Sequence, residues 1–218
     1  DVYKRQPNTF DETSPKMYTL THHIVSLPTS QYIQEFRDPE KFISFCRQCE
    51  RYNRCWACPP FEFNTDEYLS GYQQTYIIGT KIAFDTTTRD SCTTLEEHKT
   101  ISLQTIESVR KIIDPRLLTL EHEYSGSRAF YAGTCHLCPK NSCTRINGHP
   151  CLHPQEIRPS LESIGFDISK TTSELLHIEL QWSNDAHLPE YLTLVSGLFT
   201  KESAYTPIST RISSLLTV

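Results

Sequence analysis

The sequence predicts an α+β fold: a single domain with a central sheet of about four strands, helices around it and two cysteine-rich metal-binding loops. Runs of β-branched residues typical of strands lie between amphipathic helical patterns. Eight of the nine cysteines fall into two clusters. The chain has 218 residues, of which 37% are hydrophobic and 22% charged, the balance of a folded protein with one core.

The composition argues against several classes of function. The net charge is −5 and the pI is about 6.0, whereas a general nucleic-acid binder carries a basic excess. No apolar run reaches the roughly 18 residues of a membrane span. The seven glycines form no GxGxxG, GxxxxGK[ST] or GxSxG motif, so the usual phosphate loops and nucleophile elbow are absent. We therefore expect a cytoplasmic protein that binds neither nucleic acid nor membrane.

The first six residues do not look native. They read DVYKRQ, which back-translates to GATGTGTATAAGAGACAG and looks like the transposon-end adapter of sequencing libraries. We interpret residues 1–6 as a translated adapter scar and expect the single cysteine-rich domain to span residues 7–218. The true N-terminus is then undefined, so the lack of a signal peptide carries little weight.

The first elements are a strand and two short helices. Residues 18–27 are rich in β-branched side chains and predict a strand. Residues 30–37 can form a short helix. Asp38 followed by Pro39 is typical of a helix start, because aspartate caps the free amides and proline fits the first turn. We expect this helix to bury Phe42, Phe45 and Cys46 and then to reach Cys49. Because Cys46 and Cys49 are three residues apart, both thiols can face the same side of its last turn.

The middle of the chain predicts a buried strand over residues 76–84, followed by two helices. Thr94 and Glu97 have the spacing of a capping box, which predicts a long helix to about Ile113. Asp114 and Pro115 then predict the start of a separate helix to about residue 124. The apolar stripe of the first of these helices would consist of Leu103, Ile106, Val109 and Ile113.

The C-terminal half contains the second cysteine cluster between regular elements. Residues 128–133 predict a strand that leads into it, and residues 135–151 predict irregular loop because proline, glycine and asparagine separate the cysteines. Residues 158–165 and 168–179 predict helices, and residues 191–200 a final strand.

The two clusters have the spacing of metal-binding cysteines. The first cysteine run (residues 46–58) and the second (residues 135–151) each supply four thiols. Two residues between cysteines let the chain turn so that both sulfurs reach one metal, and four thiolates complete a zinc site or hold a [4Fe–4S] cluster. Ligands could also be exchanged between the runs, as in two-cluster ferredoxins. The predicted ligands are Cys46, Cys49, Cys55, Cys58, Cys135, Cys138, Cys143 and Cys151.

Two features favour one or two [4Fe–4S] clusters over Zn²⁺. Cys58 and Cys138 are each followed by proline, as at the end of the ferredoxin motif. The first run also has aromatic and basic neighbours, which would shield an anionic cluster and offset its charge: Tyr52, Trp56, Phe61, Phe63, Arg47, Arg51 and Arg54. Zinc stays open as the alternative, because paired CxxC motifs are common in structural zinc sites. Disulfides and a thioredoxin-like Cys55–Cys58 pair fit the pattern less well.

Polar residues near the second run are further candidates. Three loop histidines could replace a cysteine as ligand: His136, His149 and His153. Four residues that follow the second run are candidate ligand-binding residues, although they could instead solvate a helix end: Arg158, Ser160, Glu162 and Asp167.

The motifs together resemble a known family. CRQCERYNRCWACPP, followed downstream by AGTCHLCPKNSC and GHPCLHPQEIRPSLESIGFDI, is similar to the prokaryotic domain of unknown function 2284, whose members are described as predicted metal-binding proteins. The resemblance implies that the eight cysteines are metal ligands and that the RPS-x-E segment from Arg158 is the family's other recurring stretch. Leu152 replaces an arginine of many relatives, and the spacing from Cys138 to Cys143 is somewhat long.

Three hypotheses for function follow. The first is an iron–sulfur protein that transfers electrons or serves as the redox subunit of an unknown partner protein. The second is a zinc-stabilised structural or adaptor module without a redox role. The third is a cluster-dependent enzyme of unknown reaction, with an open coordination position beside a pocket. Whether the protein is an enzyme is left open by the sequence.

Overall fold

The computed structural model describes residues 17–139, 141–181, 187–202 and 206–217. The interpretation of residues 1–6 as an adapter scar concerns a segment outside this range.

The sheet has four strands, which confirms the predicted α+β class. The strands are β1 (Tyr18–Pro28), β2 (Gln74–Phe84), β3 (Arg128–Phe130) and β4 (Tyr191–Thr200). Their order is β1-β2-β4-β3, and all neighbours are antiparallel. Since β4 lies between β2 and β3, the last strand of the sequence is in the middle of the sheet.

Seven helices surround this sheet within the described part of the chain. They are α1 (Thr29–Phe36), α2 (Pro39–Cys46), α3 (Thr65–Ser70), α4 (Thr86–Ser91), α5 (Leu95–Glu123), α6 (Ile168–Lys170) and α7 (Thr206–Leu216). A π-helical turn, Thr171–Leu175, continues α6, and 3₁₀ turns cover Thr144–Asn147 and Glu162–Ile164. The sequence reading missed α3, α4 and α7, although Asn64 and Asp85 cap the first two with their side chains.

Apolar residues cover both faces of the sheet. Because side chains alternate along a strand, Ile77 and Phe199 point to one face, while Tyr76, Ile78 and Leu198 point to the other. On the first face they pack against α1 and the segment around residues 161–178, and on the second against α5 and α7. The two cysteine runs lie outside both of these cores.

The prediction of a helix break at Pro115 was wrong. Helix α5 runs through this proline without interruption. A proline inside a helix costs about 3 kcal/mol. The apolar stripe continues in phase beyond it, and Leu117 and Leu120 are fully buried against the sheet, which offsets the cost. Leu103, predicted to belong to the stripe, is 62% exposed.

Other predicted helices are shorter than expected. Helix α2 ends at Cys46, and Phe45, predicted to be buried, is exposed. In the region 158–165 only a 3₁₀ turn forms. Gly165 adopts a φ of +101°, and a Cβ there would lie 2.8 Å from the Cα of Pro39, so this segment turns and packs closely on the start of α2. Strand β3 ends at Phe130, because the amide of Tyr131 donates to the carbonyl of Pro159 instead (3.2 Å).

Candidate metal centre

The start of α2, and with it the first cysteine run, is held by backbone hydrogen bonds. The Asp38 amide donates to the carbonyl of Gly165 (2.9 Å), and the Asp167 amide donates to the carbonyl of Phe36 (2.8 Å). Beyond Cys46 the chain continues in hydrogen-bonded turns, with the Cys49 amide donating to the Cys46 carbonyl (3.0 Å). The scaffold thus fixes where the first run begins, and backbone turns carry the chain onward from Cys46 to Cys49.

Arg145 joins the two cysteine runs. Its guanidinium, in the 3₁₀ turn of the second run, donates to the carbonyls of Cys55 (2.9 Å), Cys58 (2.6 Å) and Pro60. It also lies over the ring of Trp56, 5.0 Å from the centroid. The indole N–H of Trp56 in turn donates to the carbonyl of His149 (3.0 Å). The sequence reading did not single out Arg145, and no periodic pattern marks it.

Four of the sulfurs accept a hydrogen bond from the amide two residues further on. The Arg51 amide donates to Cys49 Sγ (3.5 Å), and the His153 amide to Cys151 Sγ (3.3 Å). The amides of Ala57 and Leu137 act in the same way on Cys55 and Cys135, and each lowers the thiol pKa. Amides aimed at sulfur stabilise the thiolate, which is the form that ligates metals.

Three thiols meet where the runs touch. Hydrogen bonds with the thiols of Cys135 and Cys58 lower the pKa of Cys55 to about 2. The same bonds to Cys55, together with burial, raise the pKa of Cys58 and of Cys135. The thiols of Cys55, Cys58 and Cys135 thus form one hydrogen-bonded group that spans the two runs.

A small cavity of about 20 Å³ lies in the second run. Five thiols line it: Cys55, Cys135, Cys138, Cys143 and Cys151. Arg51 and His153 also line this cavity. Burial raises the pKa of Cys138 and Cys151, and neighbouring cysteine thiolates raise it further. Removing these thiols from water thus disfavours their charge unless a cation compensates for it.

The remaining thiols of the first run are Cys46, Cys49 and Cys58. Burial raises the pKa of Cys46, and the charges of Cys49 and Glu162 raise it further. Beside these residues an open groove of about 450 Å³ is lined by aromatic, basic and small residues. They include Ile43, Arg47, Tyr52, Pro59, Phe61 and Ser163.

The residues present fit a thiolate-ligated metal by their chemistry. The two runs supply eight thiols, and four of their sulfurs accept hydrogen bonds from backbone amides. None of the nine cysteines, all of which lie in the described residues, forms a disulfide. Within the described residues, no set of three or more histidine, cysteine, aspartate or glutamate side chains is already arranged to hold an ion.

Arg158 takes part in a buried ion pair. Its guanidinium donates to both carboxylate oxygens of Glu121 (2.6 and 2.5 Å), and the same carboxylate accepts from Arg128 (3.1 Å) and from the amide of Ala129 (2.7 Å). Burial alone would raise the pKa of Glu121, but these hydrogen bonds and charges hold it below its usual value. The contact ties α5 to β3 and to the segment that follows the second run.

The other three candidate ligand-binding residues lie apart from Arg158. Ser160 Oγ accepts from the amide of Ser163 (3.3 Å). Asp167 caps α6 through the Lys170 amide (2.9 Å) and faces Lys41 Nζ (3.4 Å). Glu162 has a buried Oε2 without a hydrogen-bond partner, and burial raises its pKa. None of the four lines the two cavities described above, and their role in ligand binding stays a prediction.

Of the histidines, only His153 lines the small cavity. Its Nδ1 lies 3.4 Å from a carboxylate oxygen of Glu156. His136 instead lies against helix α5, with Nε2 2.8 Å from Asp114 Oδ2, and Arg110 donates to the same oxygen (3.1 Å). The spacing of Arg110 and Asp114 is that of a helical i,i+4 pair, so the sequence contained a signal for this contact.

Fold and site together define a cysteine-rich α+β protein with two docked loops of metal-ligating type. The chain belongs to the family DUF2284, described as a predicted metal-binding protein, which it matches over residues 33–200. This confirms the resemblance seen in the motifs. No curated protein and no solved structure matches the chain. In the described part of the chain, no helix is both long and apolar enough to cross a membrane.

Proposed function

We propose that the protein carries one or two [4Fe–4S] clusters on its eight clustered cysteines. In this proposal it transfers electrons, or serves as the redox subunit of a partner protein. The observation that carries the proposal is the docking of two cysteine runs whose sulfurs accept backbone amides. Hydrogen bonds to the sulfurs are one of the main means by which a protein sets the potential of a cluster.

The residues around the thiols have separate roles in this proposal. The cysteines of the two runs are the ligands, and Arg51, which lines the small cavity, offsets negative charge. Arg145 holds the runs together, and Trp56 limits the access of water. A bound [4Fe–4S] cluster would supply one-electron redox chemistry at a potential set by charge, hydrogen bonding and exposure.

We also propose a reducing, cytoplasmic location. The support is that none of the nine cysteines, all in the described residues, forms a disulfide, since disulfides form and persist in oxidising compartments. The redox partner would be a second protein that exchanges electrons with the cluster.

The experiment is purification of the full chain without oxygen, followed by measurement of iron, sulfide and zinc on one sample. We expect a brown protein with broad thiolate-to-iron absorption and about eight irons and eight sulfides for two clusters, or about four of each for one. The matched control is Cys92→Ser, because Cys92 is buried outside both runs. A protein that binds neither iron nor sulfide would overturn the proposal.

A zinc-stabilised structural or adaptor module is the second candidate. The observation that favours it is the size of the cavity in the second run, about 20 Å³, which suits a single ion better than a four-iron core. Zinc is d¹⁰ and has no redox chemistry, so this protein would be colourless. About two zinc ions per chain, without sulfide, would make this candidate the leading one.

A further inference from the structure

The sequence groups Cys55 with the first run, but its surroundings belong to the second. We propose that Cys55 is a ligand of the second metal site, completing it together with thiols of residues 135–151. The inference rests on the proposed metal binding by cysteines, but it is independent of which metal is bound.

The cavity gives the first reason. Its five thiols include all four cysteines of the second run, and the only one from the first run is Cys55. Cys46, Cys49 and Cys58 do not line it. Cys55 is also only 2% exposed, so the surrounding residues of the protein shield it from solvent.

The thiol contacts of Cys55 give the second reason. Its thiol is hydrogen-bonded to the thiol of Cys135, a cysteine of the second run. It is also hydrogen-bonded to the thiol of Cys58 within the first run. Cys55 thus lies where the two runs touch.

The backbone explains how this placement arises. Arg145, a residue of the second run, donates from Nη1 to the carbonyls at both ends of this turn, those of Cys55 (2.9 Å) and Cys58 (2.6 Å). These bonds hold the turn against the second run. Cys135 packs against the buried cluster of Cys55, Ala57 and Cys58 from the other side.

The test uses Co²⁺ as the probe, because its ligand-field absorption reports thiolate ligation whatever the native metal is. Two backgrounds of the full chain each retain one site. The double variant Cys46→Ala/Cys49→Ala leaves the second site, and Cys138→Ala/Cys143→Ala leaves the first. Cys55→Ala and the near-isosteric Cys55→Ser are added to each, with Cys92→Ala as the matched control in both.

We expect Cys55→Ala and Cys55→Ser to weaken Co²⁺ binding at least about tenfold where only the second site remains. The same changes should alter binding less than about twofold where only the first site remains. Circular dichroism of each apo variant verifies that the sheet is folded. Any other pattern, including equal losses in both backgrounds, would overturn the inference. If neither background binds Co²⁺, the proposed metal binding fails as well, which distinguishes the two outcomes.

Discussion

The sheet with its helices and the second cysteine run are held by different forces. In the sheet, β2 is buried along nearly its whole length, and Leu117 and Leu120 of α5 are fully buried against it. In residues 135–151, no described residue is buried. The sheet can therefore fold by apolar burial, at about 1.5–3 kcal/mol for each large side chain. The run depends on polar contacts and, in our account, on a metal.

Stability therefore resides mainly in the sheet and its helices, whereas in our proposal metal binding resides in the two cysteine runs. A small, exposed segment that binds a metal seldom forms its site before the metal arrives. The free energy of metal binding then contributes to the free energy of folding of that segment. Arg145 donates the hydrogen bonds that join the two runs through the carbonyls of Cys55 and Cys58. Perturbing the scaffold should therefore lower global stability, whereas perturbing the loops should change metal retention.

The largest expected effect on the scaffold comes from Arg158→Ala. It leaves the buried carboxylate of Glu121 without its main partner, so we expect a loss of about 3–5 kcal/mol in the free energy of unfolding. Urea denaturation measures it. The control is Arg211→Ala, which breaks an exposed pair with Glu123 and should change the free energy of unfolding far less. Equal losses in the two variants would contradict the buried role of Arg158.

A cavity in the apolar core should have the next largest effect. Leu117→Ala removes a fully buried side chain and should cost about 2–5 kcal/mol of unfolding free energy. The matched control on the same helix is Leu103→Ala, which is exposed and should change stability by less than about 0.5 kcal/mol. Thermal denaturation of the apo chain compares them. A loss of stability in Leu103→Ala as large as that in Leu117→Ala would contradict the orientation of α5 against the sheet.

The substitution Arg145→Ala should weaken the retention of metal by the two cysteine runs. The change removes charged hydrogen bonds to the carbonyls of Cys55 and Cys58, each worth about 1.5–3 kcal/mol. We expect faster loss of bound metal to a chelator, with little change in unfolding of the scaffold. Arg145→Lys should not restore retention, because an ammonium lacks the planar fork of donors. Arg54→Ala, an exposed arginine of the first run, is the control. Wild-type retention in Arg145→Ala would contradict the bridging role.

The smallest effect is a dependence of scaffold stability on acid. The pKa of Glu121 is held below its usual value when folded, so its stabilisation is complete above the unfolded-state pKa of about 4.3. It is lost as the pH falls through the lower folded-state pKa. Unfolding measured across this range should show a steeper acid loss in wild type than in Glu121→Gln. Parallel profiles would argue against this ion pair.

Sequence reasoning worked best where the pattern was local. Strands β1, β2 and β4 agree with prediction to within two residues, because β-branched runs between turn residues mark strands directly. It failed at Pro115, where burial of the stripe on the sheet outweighs the local preference of proline. The sequence also did not predict the ion pair of Arg158. Its partner, Glu121, lies 37 residues earlier in the chain and comes into contact only because α5 packs against β3.

The same division holds in the candidate site. The CxxC spacing predicts the cysteines as ligands, because metal ligation by closely spaced cysteines depends on local turns. That assignment stays a prediction. The grouping of Cys55 with the second run, and the contacts of Arg145, depend on how two loops about 80 residues apart dock. Such docking is a property of the fold and leaves no signal in the spacing of one sequence.

Hydrogen exchange followed by mass spectrometry, on the full chain with and without its metal, shows whether the metal orders the two cysteine runs while the sheet stays folded without it. We predict that removing the metal speeds exchange in peptides covering residues 46–58 and 135–151, on the order of tenfold or more. Peptides from β2 and α5 should keep their protection. Unchanged exchange in both cysteine runs, or loss of protection throughout the sheet at the same time, would contradict the account.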